Sequence, residues 1–267
     1  LIDYANVAQS FDYTKQNITN TIIAGTTMYM FWSNGFYRYN TSTTNKPYET
    51  YSNIIGTSNA LAMFEDPINS NVYMFSNNFA SDGVSVIQTS REVPARYQLK
   101  VYGALAGNVY SSYSEYNSDL YFVPRVGQGF VRVSKTNPLN WNPVRSPYDS
   151  NGSNTSIVVN NTLYAFPGPS SQNTYAINLV TKTIKSIKTP LGFYNSATWD
   201  GGDYVYLTSP GTITRFDTTL DTFRDFSGYR ELSANTYITP GDYVAENSSY
   251  VYFVNSTDIL EYDPTSN

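Results

Sequence analysis

At 267 residues the chain carries 16 basic against 21 acidic side chains, a net charge of −5, so no global positive field exists to hold phosphates and no nucleic-acid partner is expected. It has no His and no Cys, which excludes imidazole bases, His-led triads, thiolate nucleophiles, zinc–thiolate centres and disulfides. Tyr is the outlier, at 26 residues in a chain only 14% charged.

Taken in chain order, residues 7–13 alternate as a strand ahead of a first repeat that begins at Thr21. From there one signature recurs, a short apolar run centred on Tyr that follows a short strand and a polar turn. Its centres are Tyr29, Tyr73, Tyr121, Tyr164, Tyr206 and Tyr252. They fall about 45 residues apart, the length of a propeller blade. The fifth unit shows the subdivision most clearly. Residues 196–199 form its first strand, Asp200-Gly201-Gly202-Asp203 the turn, and 204–207 the second strand. After Ser209-Pro210-Gly211, residues 212–217 make the third strand and 222–226 the fourth. The sixth unit follows the same order to Thr265 without a fourth strand signal. Residues 7–13 would supply it by pairing with 258–262, which leaves no unpaired edge.

The expectation is therefore all-β: one domain over residues 1–267, a six-bladed β-propeller of four-stranded blades whose N-terminal strand closes the last blade. A pair of β-sandwiches or a solenoid uses the same short strands and polar turns. Gly-Asp-Tyr-Val-Tyr-Leu at 202–207, followed by Phe-Asp-Thr-Thr-Leu-Asp-Thr-Phe at 216–223, resembles the kelch-like β-propeller family. Glu-Tyr-Asp-Pro-Thr at 261–265 and Val-Ser-Lys-Thr-Asn-Pro-Leu-Asn-Trp at 133–141 are similar variants. The resemblance implies the fold. The composition, poor in charge and rich in Tyr, Asn, Thr and Ser, is similar to that of surface glycoproteins of hot-acid archaea, where few carboxylates leave little charge to lose at low pH.

Large aromatics on both faces of the middle strands are expected as packing between blades. Carboxylates are the strong acid–base groups that remain. Glu65, Asp66, Asp200, Asp203 and Glu246 all fall at first-to-second strand turns, where turn chemistry accounts for them. Arg38, Arg132 and Arg215 share one position on the third strand and read as stems packed between blades, with Arg215 directed at Glu261. No nucleotide-binding loop, nucleophile elbow or calcium loop is present, and no metal or cofactor is expected. No run of about 18 apolar residues occurs, so no membrane insertion is expected.

Seven Asn-x-Ser/Thr sequons, at Asn17, Asn40, Asn151, Asn154, Asn160, Asn247 and Asn255, fall in expected turns or at strand ends and invite N-linked glycans. None lies between Asn40 and Asn151. Residues 91–145 hold seven basic side chains, Arg91, Arg96, Lys100, Arg125, Arg132, Lys135 and Arg145, against Glu92, Glu115 and Asp119. Blades two and three thus form a basic, sequon-free sector, and such asymmetry orients association. We read Arg91, Arg96 and Arg125 as its contacts, with Trp32 and Phe79 as contact-forming aromatics. The functional expectation is a secreted or cell-surface glycoprotein module, not an enzyme, that binds protein or glycan or self-associates in a surface assembly. The alternative is a carbohydrate-active hydrolase or lyase using carboxylates and Tyr at the channel mouth. Apolar inner strands such as 22–24, 61–63 and 157–159 favour the first.

Overall fold

The computed structural model describes residues 20–24, 26–32, 35–40, 42, 49–52, 60–66, 69, 71–76, 84–88, 95–99, 109–126, 129–138, 141–144, 153–168, 171–190, 193–209, 212–225, 243–247, 250–254 and 259–262. Among them no helix forms, and 23 strands make six sheets of consecutive antiparallel neighbours. The first sheet is β1 (Asn20–Ala24), β2 (Thr27–Trp32), β3 (Gly35–Asn40) and β4 (Glu49–Ser52). The second is β5 (Ala60–Glu65), β6 (Asn71–Ser76), β7 (Val84–Gln88) and β8 (Ala95–Leu99). The third is β9 (Val109–Tyr116), β10 (Asp119–Val126), β11 (Phe130–Ser134) and β12 (Trp141–Val144). The fourth is β13 (Ser153–Val159), β14 (Thr162–Pro167), β15 (Asn173–Asn178) and β16 (Ile184–Lys188). The fifth is β17 (Ser196–Trp199), β18 (Tyr204–Ser209), β19 (Thr212–Asp217) and β20 (Thr222–Asp225). The sixth has three strands, β21 (Tyr243–Asn247), β22 (Tyr250–Val254) and β23 (Ile259–Tyr262). The closing strand expected at residues 7–13 lies outside the described residues.

The Tyr-centred runs become the second strands, and they are buried without alternation: β2, β6, β14 and β18 each bury five of their six residues. A strand buried on successive residues is covered on both faces. That is why Tyr and Phe are spent there rather than an apolar/polar alternation. The turns obey their own chemistry. Asn117 and Ser118, both at positive φ, make the two-residue connection from β9 to β10 that a twisted hairpin requires. The third-to-fourth turns of sheets four and five are copies of each other. The Asn178 side chain accepts the N–H groups of Val180 and Thr181, and the Asp217 carboxylate those of Thr219 and Leu220. Lys182 and Asp221 then take the left-handed conformation at matching positions.

The chain divides into two compact units, residues 1–107 with 133–142 and residues 108–132 with 143–267. In the first, Met28, Phe31, Trp32 and Phe36 of sheet one pack with Val72, Met74 and Ile87 of sheet two, and β1 lies beside β5. In the second, the first strands β9, β13, β17 and β21 lie side by side in that order. Tyr121, Val123 and Phe130 meet Leu163, Ala165 and Ile177 between sheets three and four, while Tyr164 and Phe166 meet Val205, Leu207 and Phe216 between sheets four and five.

Candidate functional site

Among the basic residues, Arg125 has the most telling position. Residues 119–124 of β10 are all buried, yet Arg125 is exposed. The cause is a slip in the ladder: Val123 faces Ser112, Pro124 faces Tyr110, and Val126 faces Val109, so Ser111 and Arg125 have no opposite residue. A bulge of this kind bends the strand and re-aims a side chain, here the guanidinium toward solvent. Arg96 lies on β8 opposite Ile87. Arg91 and Phe79 lie outside the described residues. Trp32, read from the sequence as a contact residue, ends β2 at 3% exposure with its ring 4.5 Å from that of Tyr37, and serves the core.

The three third-strand arginines have separate employment. Arg132 donates from Nε to the buried Asp119 carboxylate at 2.7 Å, with Nη2 2.6 Å from the same oxygen. That hydrogen bond raises the Arg132 pKa. Arg215 lies over the Tyr204 ring with its guanidinium carbon 4.3 Å from the centroid; the Glu261 side chain, toward which it was expected to reach, lies outside the described residues. Arg38 stands opposite Tyr29 and Glu49 in the first sheet.

Of the five acids expected in first-to-second strand turns, Asp66, Asp200 and Asp203 lie between strands, whereas Glu65 and Glu246 lie on them. The Asp200 carboxylate accepts the N–H groups of Gly202 at 2.9 Å and Tyr204 at 3.2 Å, with Gly201 at φ 79°. The Asp203 carbonyl accepts from the N–H and hydroxyl of Thr218. Glu65 ends β5 half-buried, and Asp66 is buried, its N–H bonded to the Asn71 carbonyl. Glu246 lies on β21. No group of three or more His, Cys, Asp or Glu side chains suited to a metal ion occurs among the described residues.

Of the sequon asparagines, Asn40 is exposed where β3 ends and accepts from both the N–H and the hydroxyl of Ser42. Asn160 is exposed in the turn after β13 at φ 54°, and Asn247 ends β21. Asn154 corrects the expectation that every sequon sits in a turn or at a strand end. It is the second residue of β13, half-buried, and its amide nitrogen donates to the Tyr194 carbonyl at 2.7 Å. Asn17, Asn151 and Asn255 lie outside the described residues.

Two features escape the sequence reading. The first strands β9 and β13 of the second unit carry a run of hydroxyls where they meet. Ser112 and Ser114 of β9 both bond Ser156 of β13, at 2.9 and 3.1 Å, and Ser111 donates to the Ser153 carbonyl at 2.7 Å. Reading the inner strands through residues 157–159 missed this, because those residues lie at the far end of β13. The second feature is an open cleft of about 440 Å³ between sheets four and five, lined by Lys188, Thr189, Pro190, Asp221, Thr222 and Phe223. Lys185 of β16 forms an ion pair with Asp221 across its wall.

No family model matches the chain, and no curated protein matches it in sequence. Solved structures do. The extracellular domain of BT4673 from B. thetaiotaomicron is 14% identical with a TM-score of 0.66, over 95% of this chain and 34% of that one. YCF48 bound to D1 peptide is 11% identical with a TM-score of 0.64, over 95% of this chain and 80% of that one. Hydrazine synthase from Kuenenia stuttgartiensis is 13% identical with a TM-score of 0.58, over 88% and 73%. These are β-propeller type folds. The all-β architecture of repeated antiparallel sheets is similar to theirs, and at such identities the likeness concerns the fold alone. The chain spans about a third of the length of the BT4673 structure.

Proposed function

We propose that this β-propeller type chain is a secreted or cell-surface glycoprotein module that acts by binding, as one part of a surface assembly, with no turnover of its own. In this reading residues 1–267 form one kelch-like, six-bladed ring, and residues 7–13 pair with β23 to complete the last blade. Glycans on exposed asparagines such as Asn40 and Asn160 leave blades two and three as the bare sector. The partner is a protein, either another chain or a second copy of this one.

The observation that carries the proposal is Arg125, turned to solvent by a bulge in a strand otherwise buried to that point. Pro124, which cannot donate to a ladder, breaks it here, and the bulge presents a cation to solvent directly after six buried residues, a placement that suits a contact.

The test is sedimentation of the native assembly across a salt series, with Arg125→Glu and Arg96→Glu made separately. Each reversal should weaken assembly and flatten its salt dependence. Assembly unchanged by both, or an interface mapped entirely to blades five and six, would overturn the proposal. Intact mass before and after deglycosylation tests the glycoprotein part directly.

A further inference from the structure

β16 is the last strand of the fourth sheet, and no described strand pairs with its outer side. Which backbone groups face outward follows from the ladder. Asn178 N–H donates to the Thr183 carbonyl and Thr189 N–H to the Gln172 carbonyl, both at 2.9 Å and both between directly opposed residues of the β15–β16 register. Hydrogen-bonded and open pairs alternate along an antiparallel ladder. Lys185 and Ile187 therefore point their backbone groups at β15, while Ile184, Ser186 and Lys188 turn theirs outward.

That open edge runs into the 440 Å³ cleft. Phe223 forms one wall, held in place by its stack on Tyr194, with centroids 6.3 Å apart and 9° between planes, and by Phe216 at 4.6 Å. The charge is uneven. Asp221, the acid lining the cleft, is taken by Lys185, and the Lys182 ammonium donates to the Leu179 carbonyl. Lys188 is exposed and forms no ion pair among the described residues.

We propose that this edge and cleft are a docking groove for an extended acidic peptide. Its backbone adds to the outward N–H and C=O groups of Ile184, Ser186 and Lys188. One of its carboxylates meets the Lys188 ammonium, and an apolar side chain rests on Phe223 and Pro190. A peptide fits better than an acidic glycan because only a peptide backbone matches the spacing of the open edge. The groove is independent of Arg125 and of the assembly proposed above.

The experiment selects binders from a displayed library of extended peptides rich in Glu, Asp and aromatic residues, and in parallel screens uronic-acid oligosaccharides against the full chain. The best peptide is then measured on Lys188→Glu and Ser186→Pro. Proline at 186 removes only an outward N–H, so the β15 ladder stays intact. Each variant should weaken peptide binding about tenfold or more, the scale of one charge-assisted hydrogen bond, while Arg125→Glu leaves it unchanged. The same peptide with alternate backbone amides N-methylated should lose binding to the unaltered protein, which keeps the edge testable if Ser186→Pro fails to fold. Failure to select any acidic peptide, binding indifferent to Lys188→Glu or to N-methylation, or an oligosaccharide that binds through Lys188 while peptides do not, would each overturn the proposal.

Discussion

Replacing Phe216 by Ala should remove the largest single contribution to the packing between sheets four and five. Phe216 is fully buried, and its ring centroid lies 4.6 Å from Phe223, 5.2 Å from Tyr164 and 5.7 Å from Phe166. A buried Phe→Ala change costs about 3–5 kcal/mol, because the transfer free energy is lost and the cavity does not fully collapse. Each aromatic pair adds about 0.5–1.5 kcal/mol beyond area. Three pairs put Phe216→Ala at the upper end, about 4–5 kcal/mol. Phe223 touches the same cluster but is half-buried, so water refills part of its space and Phe223→Ala should cost about 1–2 kcal/mol. Phe216→Leu keeps most of the volume and should cost about 1.5 kcal/mol. Urea unfolding followed by circular dichroism reads the order directly. With a slope of about 2–3 kcal/mol per molar urea, Phe216→Ala should lower the midpoint by about 1.5–2 M. If Phe223→Ala cost as much as Phe216→Ala, or Phe216→Leu as much as Phe216→Ala, the ring cluster would not be the seam described here.

Two titrations follow from the same unit. Burial alone would raise the Asp217 pKa, but the N–H groups of Leu220 and Thr219, the Thr219 hydroxyl and the Arg224 charge outweigh it and hold the carboxyl below its usual range. Stability from Asp217 is thus present above the unfolded carboxylate pKa of about 3.9 and is lost as pH falls through the lower folded value. Asp217→Asn, which keeps the turn that Asn178 makes in sheet four, should flatten the melting temperature in that acid window, and parallel curves for both proteins would refute it. Tyr164 is pushed up to about 12 by burial and by Asp221. Its stabilisation is complete below the unfolded phenol pKa of about 10 and is lost as pH rises toward about 12. Tyr164→Phe should therefore lose less stability than the parent across that alkaline interval, as followed by phenolate absorbance and unfolding together.

Much of the strand order is legible in the sequence because the turns carry their own mechanism. Asp200-Gly201-Gly202-Asp203 names a turn by residue type, and β17 to β20 fall where the turn chemistry puts them, to within two residues at their ends. Repetition of the Tyr-centred runs likewise locates the second strand of every sheet. The Arg125 bulge is visible at most as Pro124 inside a strand-like run, a residue that cannot donate to a ladder and so marks an irregularity. The hydroxyl seam is spelled out in Ser111-Ser112 and Ser153 to Ser156, but its meaning depends on two strands 42 residues apart meeting edge to edge. The cleft is the least legible. Lys182, Lys185 and Lys188 recur every third residue, which matches no strand period, and only the ion pair with Asp221, 36 residues away, shows which of them is occupied.

The two seams of the second unit divide the labour of specifying it. Between sheets four and five the contact is aromatic, with tilted and edge-on rings, and such packing is strong but tolerant of small slips because dispersion has little direction. Between sheets three and four the outer part is apolar as well, through Val123 with Leu163 and Ile177, but the first strands are joined by directed bonds from Ser111, Ser112 and Ser114. Moving β13 by one residue would break those bonds and leave the buried Ser114 and Ser156 hydroxyls unsatisfied, a cost of about 1–3 kcal/mol each. The hydroxyls therefore set the register that the aromatics then stabilise. With inner strands committed to register and second strands committed to packing, the side chains left uncommitted belong to outer strands and bulges. Arg125 and Lys188 are of that kind, and a partner can engage them without disturbing either seam.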